Sequence, residues 1–305
     1  MTASVLAAAL LAAGTGVLAW RPWRDLGGAR PRLVIAVILS AAAAVWTGSL
    51  GLVVVALSGE RAGLVLACEA LWRKLVAGQL TWWQWGLAGL WVGTFPGRAM
   101  VTVAASTRRI RGVRGRLRGI ACPLPGGKGP AVLVPGLATP AVTVGALRPQ
   151  VLIDEAFWRR SSPHERSVVL AHEHAHRRGR HGVVELAAQA LLCPLRPLAI
   201  ARTACESLRA HLEALADDAA SRTYGRESVG RTLGQAALSE APAVGLGVTG
   251  SSVWRVQRLL FVDRRERVHA LGVLVPALGL FVGGLTLTTA EVADLLLVAV
   301  RYCLI

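Results

Sequence analysis

The stretch Ser167-Val168-Val169-Leu170-Ala171-His172-Glu173-His174-Ala175-His176 decides how the chain is read, because residues 172–176 spell H-E-x-x-H. On an α-helix, positions four apart share one face, so His172 and His176 can hold a single metal ion while Glu173 stands beside it as a base. With seven histidines in 305 residues, chance would supply about 0.006 such matches, so the pattern carries weight. The helix has a sequence-level start: Ser162, Pro163 and Glu165 fit the N-cap, N1 and N3 positions of a capping box. Gly179 offers the exit.

Working outward, short β-branched runs at 132–134, 141–144 and 151–153 read as a small sheet ahead of that helix. Helical stretches follow at 183–193, stopped by Pro194, and at 198–222. Together they make an α+β zinc-binding domain over residues 120–267. Catalytic zinc usually takes three protein ligands and leaves the fourth position to water. Glu213 is the best third ligand, in the run Glu213-Ala214-Leu215-Ala216-Asp217. Its E-x-x-x-D spacing puts both carboxylates on one helical face, where Glu213 can bind metal and Asp217 can orient a ligating histidine.

The remaining histidines read differently. His174 lies two positions from His172 and points to another face. His164, His181, His211 and His269 are read as structural or solvent-facing, with His181 and His211 close enough in sequence to border the site. An oxyanion-stabilising group is expected opposite the base, and Tyr224 is a candidate for it.

Composition places this domain at a membrane. The chain is 53% hydrophobic and only 17% charged, yet carries a formal charge of +16 and a mean hydropathy of +0.50. Its arginines flank apolar runs, the positive-inside pattern of a multi-pass membrane protein. No nucleic-acid-binding motif accompanies them, so direct nucleic-acid binding is not expected. Transmembrane helices are expected at 3–20, 33–57, 75–95 and about 271–287, which divides the chain into a membrane region at 1–119, the zinc domain, and a final span with a short tail at 268–305. Arg21, Arg24, Arg30 and Arg32 make the first loop cytoplasmic and put the N-terminus outside. Starting the third span at Trp82 and ending it at Ala105 would instead bury Arg98 in the bilayer. Pro96-Gly97 beside Arg98 reads as a membrane exit and favours 75–95. Trp82, Trp83, Trp85 and Trp91 read as an interfacial belt and packing. The arginine run from Arg108 to Arg118 reads as an anchor on the anionic inner leaflet. The five cysteines form no C-x-x-C pair, so neither a disulfide framework nor a cysteine zinc site is indicated.

In this layout the chain resembles the membrane-integral zinc metallopeptidases typified by the beta-lactam sensor-transducers, the BlaR/MecR type. The resemblance rests on three spans before the zinc domain, the basic run, H-E-x-x-H, the downstream E-x-x-x-D, and the segment at 141–153. It implies a gluzincin-like fold, one Zn2+ per chain, and cleavage of a cytoplasmic protein such as a transcriptional repressor at the plasma membrane. Two features depart from the family. Only a short tail follows the last span, where the sensor-transducers carry a penicillin-binding domain, so direct beta-lactam sensing is not expected. His181 stands where the family tends to have an acidic residue. The HtpX-type quality-control proteases share the chemistry but place fewer spans before the zinc domain. A zinc-binding receptor or scaffold that does not cleave is the third reading, and an intact Glu173 argues against it.

Overall fold

The computed structural model describes residues 3–19, 30–60, 63–117, 119–124, 131–240 and 250–261. The architecture is mainly helical with one small mixed sheet. Helices α1 (Ala3–Ala19) and α2 (Pro31–Ser58) form an antiparallel hairpin. Glycine sets their spacing: a Cβ on Gly48 would lie 2.6 Å from the Leu11 nitrogen and 2.7 Å from the Ala7 carbonyl. At Gly59 (φ +75°) the left-handed conformation ends α2, and its N–H bonds to the Val55 carbonyl. Among the described residues α2 is the one helix long and apolar enough to cross a membrane; the stretch expected at 271–287 lies outside them.

The helix expected at 75–95 is corrected. Helix α3 (Leu64–Val76) ends where that span was to begin, and α4 (Trp82–Val92) starts after Thr81. Thr81 and Gln84 form a capping box there, while the Gln84 amide donates to the Leu57 carbonyl at 2.8 Å and ties the start of α4 to the end of α2. Pro96 does not release the chain from the helix. A π-helical turn at Gly93–Gly97 carries it into α5 (Arg98–Leu117). Proline has no N–H to give, and the wider turn accommodates that loss without ending the helix. Phe95 in this turn stacks on Trp91, with Trp46 of α2 edge-on to both. Trp82, Trp83 and Trp85 remain exposed on α4.

Past α5, the sheet has the order β1-β2-β4-β3, comprising β1 (Cys122–Pro123), β2 (Ala131–Val134), β3 (Ala141–Val144) and β4 (Gln150–Asp154). β2 and β4 run parallel, and the other pairs are antiparallel. The three expected strands are present, and β1 adds a short fourth. Leu133, Val151 and Ile153 bury one face of the sheet with Phe157 of α6 (Glu155–Arg160) and with Val169 and Leu170 of α7 (Pro163–Arg178). β3 lies at the sheet edge next to α7.

After α7 come α8 (His181–Leu192), a 3-10 turn at Cys193–Leu195, α9 (Ala199–Tyr224), α10 (Arg226–Glu240) and α11 (Gly250–Phe261). α8 and α9 do not stand apart from the α1–α2 hairpin. Val34, Ile38 and Val45 of α2 share one buried core with Leu192 of α8 and with Ala204 and Leu208 of α9. The Trp46 indole N–H donates to the Leu191 carbonyl at 2.8 Å across this contact. Gly48→Val should lower the thermal unfolding midpoint of the detergent-solubilised protein, at a cost of about 1–3 kcal/mol for overpacking. An unchanged midpoint would show that the α1–α2 hairpin is not packed at this distance.

Candidate metal centre

Helix α7 begins as its sequence predicts. Ser162 and Glu165 close a capping box, with the Ser162 N–H donating to Glu165 Oε2 at 2.7 Å, and Pro163 occupies N1. These caps fix the register in which His172 and His176 point together toward α9. Their Nε2 atoms lie 3.1 Å apart. Glu213 of α9 meets both, with Oε2 at 3.3 Å from His172 Nε2 and Oε1 at 3.4 Å from His176 Nε2. A tetrahedral zinc with ligands at 2.0–2.1 Å needs donor atoms roughly 3.3 Å from one another. The three side chains meet that spacing, and among the described residues they are the one group able to hold an ion.

The charge around the site is that of a place prepared for a cation. Burial acts against a charge on His172, but its contacts with Asp217 and Glu213 outweigh this and raise its pKa to about 10. A proton there does the electrostatic work a metal ion would otherwise do. Burial likewise disfavours a charged Glu213, yet His172, His176 and Arg255 hold it well below the usual carboxylate range.

The carboxylate of Asp217 lies 3.0 Å from His172 Nδ1, on the side of the ring away from Glu213. The residue that the E-x-x-x-D spacing offers to orient a ligating histidine thus lies beside His172. Asp217 is itself gripped bidentately by Arg255 of α11, through Nε at 2.8 Å and Nη2 at 2.7 Å, while Arg255 Nη1 reaches Glu213 Oε2 at 3.0 Å. Desolvation would raise the pKa of the buried Asp217, and the Arg255 contacts lower it instead. On the sequence, Arg255 reads only as a basic flank of the last span. The corresponding signal is a pair of arginines three apart, Arg255 and Arg258, matching the adjacent Asp217 and Asp218. Arg258 pairs bidentately with Asp218, both contacts at 2.8 Å.

Two further residues act beside the ligands: Thr143, which the sequence does not single out, and His181, which it places only at the border of the site. Glu173 is buried, and Thr143 on β3 donates to its Oε2 at 2.5 Å, with the Glu173 carbonyl 3.1 Å from the same hydroxyl. The edge strand thereby holds the base. His181, at the start of α8, places its Nδ1 2.8 Å from His176 Nδ1. Burial, then the neighbouring His176, lower the His181 pKa to about 4. With a metal on His176 Nε2, the His176 Nδ1 would carry the proton and His181 Nδ1 would accept it, the place a carboxylate takes beside His172.

The other histidines stay out of the site. His174 is absent from the metal-holding group. His164 pairs with Ser228 Oγ at 2.6 Å and packs against Tyr224. Tyr224 is thus not brought into the cleft as an oxyanion donor. His211 is buried with its Nδ1 2.8 Å from the Ser207 carbonyl and its ring on Trp254, and His269 lies outside the described residues. The cleft in front of the three ligands has a volume of about 430 Å³ and is walled by Ala141, Val142 and Thr143 of β3 on one side and by Arg255 on the other.

No family model, curated protein or solved structure matches this chain.

Replacing His172, His176 or Glu213 by alanine should abolish stoichiometric zinc binding. Asp217→Ala and His181→Ala should keep the ligands and weaken affinity by about 10- to 100-fold each. Competition titration against a fluorescent chelator measures both effects, and an unchanged affinity in His181→Ala would remove that residue from the site.

Proposed function

We propose that the chain is a membrane-embedded zinc endopeptidase that hydrolyses a peptide bond of a cytoplasmic protein. One observation carries the reading: a buried carboxylate, Glu173, stands beside a two-histidine, one-carboxylate donor set at zinc spacing. Zinc held by His172, His176 and Glu213 would supply Lewis acidity and bring the pKa of a bound water toward about 7. Glu173, steadied by Thr143, would accept a proton from a water bound there and pass it to the leaving amine. Arg255 holds Asp217, and Asp217 holds the His172 ring, so the ligand geometry is set before substrate arrives. A scaffold that only bound metal would have no use for the base.

A polypeptide substrate is favoured by β3. It is an edge strand running along the cleft, so its outer backbone groups can pair with an extended segment laid beside it. The resemblance to the sensor-transducer family makes a transcriptional repressor the proposed target and signal transduction the proposed role. Location in the plasma membrane is supported by α2 and by the exposed apolar side chains of α4 and α5, among them Trp82, Leu90, Met100 and Val101. The positive-inside pattern of the arginines places the N-terminus outside and the metal site on the cytoplasmic side.

Glu173→Gln should retain zinc at wild-type stoichiometry and lose cleavage of a co-expressed repressor by at least about 100-fold, the scale of general-base catalysis. Equal cleavage by wild type and variant would remove Glu173 from the mechanism. Zinc binding without cleavage by either would favour the scaffold reading.

A further inference from the structure

The elements around the metal centre line one cleft in a fixed order. Thr143 of β3 meets Glu173, and two residues on, Gly145 packs on Gly182 of α8, where a Cβ on Gly182 would lie 2.8 Å from the Gly145 carbonyl. β3 therefore runs from the base toward the start of α8. α9 reaches the same end from the other side of the metal. Asp217 and Glu213 meet His172, and Glu213 also meets His176. Arg209 stands four residues before Glu213 on the same helical face, roughly 6 Å further along the axis. There Arg209 Nε donates at 2.6 Å to Oε1 of Glu185, which lies on α8 one turn after His181. Both side chains line the cleft, while Val168, a turn before His172, lines the opposite end with Val229 and Leu233.

The two partners are not equally engaged. Glu185 Oε1 also accepts from Gln189 Nε2 at 3.1 Å. Among the described residues Glu185 is the one acceptor that Arg209 meets, through one of its five N–H donors. The Arg209 side chain is 51% exposed, and its fork of Nη groups is open to a second carboxylate. We propose that Arg209, held in place by Glu185, selects an acidic side chain two residues before the one whose carbonyl is attacked. Given the peptidase reading above, on which this selection depends, a substrate strand antiparallel to β3 sends its N-terminal part toward α8, and antiparallel pairing is the more stable kind. Two residues of an extended strand span about 6.6 Å, which matches the step from Glu213 to Arg209. A basic side chain at that position would face the guanidinium and is disfavoured.

The test is the affinity of the zinc-loaded, detergent-solubilised full chain for peptide hydroxamates of the form acetyl-Xaa-Ala-Leu-hydroxamate, read by isothermal titration. The hydroxamate fixes the peptide's register on the metal, so selection is read without cleavage. Wild type should bind the peptide with Xaa glutamate about fivefold tighter than the one with glutamine, and the one with lysine least well. Arg209→Gln should lose the preference for glutamate and bind the glutamine peptide as wild type does. Glu185→Gln, which keeps the guanidinium, should retain the preference. Equal affinity of wild type for the glutamate and glutamine peptides would overturn the proposal, as would tighter binding of the lysine peptide or a preference for glutamate that survives in Arg209→Gln. Binding by none of the hydroxamates would overturn it together with the metal site. Cleavage of the same sequences extended past leucine reports the peptidase reading separately: selective binding with no cleavage would count against that reading and not against the selection by Arg209.

Discussion

Two carboxylates four residues apart on α9, Glu213 and Asp217, face two imidazoles four residues apart on α7, and Arg255 from α11 closes the cluster. Taking these groups out of water is costly, and their contacts are shared: Glu213 meets both histidines and Arg255, and Asp217 meets His172 and Arg255. The pairing holds only while α7, α9 and α11 stay in contact. It requires α7 and α9 at one relative register, and that register aligns both histidine Nε2 atoms with Glu213. Stability and metal geometry depend on the same contact.

Both helices are in turn fixed from outside the cluster. α7 is capped at Ser162 and lies against the sheet, and through Thr143 the sheet edge reaches the base. α9 is packed with α8 onto α2, so the metal centre and the apolar N-terminal hairpin share a continuous core. The Trp46, Trp91 and Phe95 contacts extend that core to the π-helical turn between α4 and α5. A displacement of the N-terminal helices would reach α9, and with it Glu213, through close-packed side chains.

What could be read from the chain alone was local. The H-E-x-x-H spacing, the Ser162–Glu165 cap, the Gly179 exit and the E-x-x-x-D pair act within one or two helical turns, and each is found where the sequence places it. Thr143 and Arg255 act across 30 and 38 residues, and no periodicity announces contacts of that length. His181 was legible as a neighbour of the site and as a departure from a family pattern, without a role. Its role became clear with the 2.8 Å contact to His176. Pro96-Gly97 misled for a different reason: proline and glycine ordinarily end a helix, and a π-helical turn that absorbs them has no compositional signature. The end of α3 at Val76 and the Thr81 cap show that helix boundaries followed capping chemistry there, while hydropathy alone ran straight through the break.

X-ray absorption spectroscopy of the zinc-loaded protein decides whether His172, His176 and Glu213 form one zinc site. A four-coordinate shell of two imidazole nitrogens and oxygen donors at roughly 2.0–2.2 Å is expected, with both imidazole signals lost in a variant lacking His172 and His176. A shell containing sulfur at roughly 2.3 Å, or one unchanged by removal of the two histidines, would contradict it.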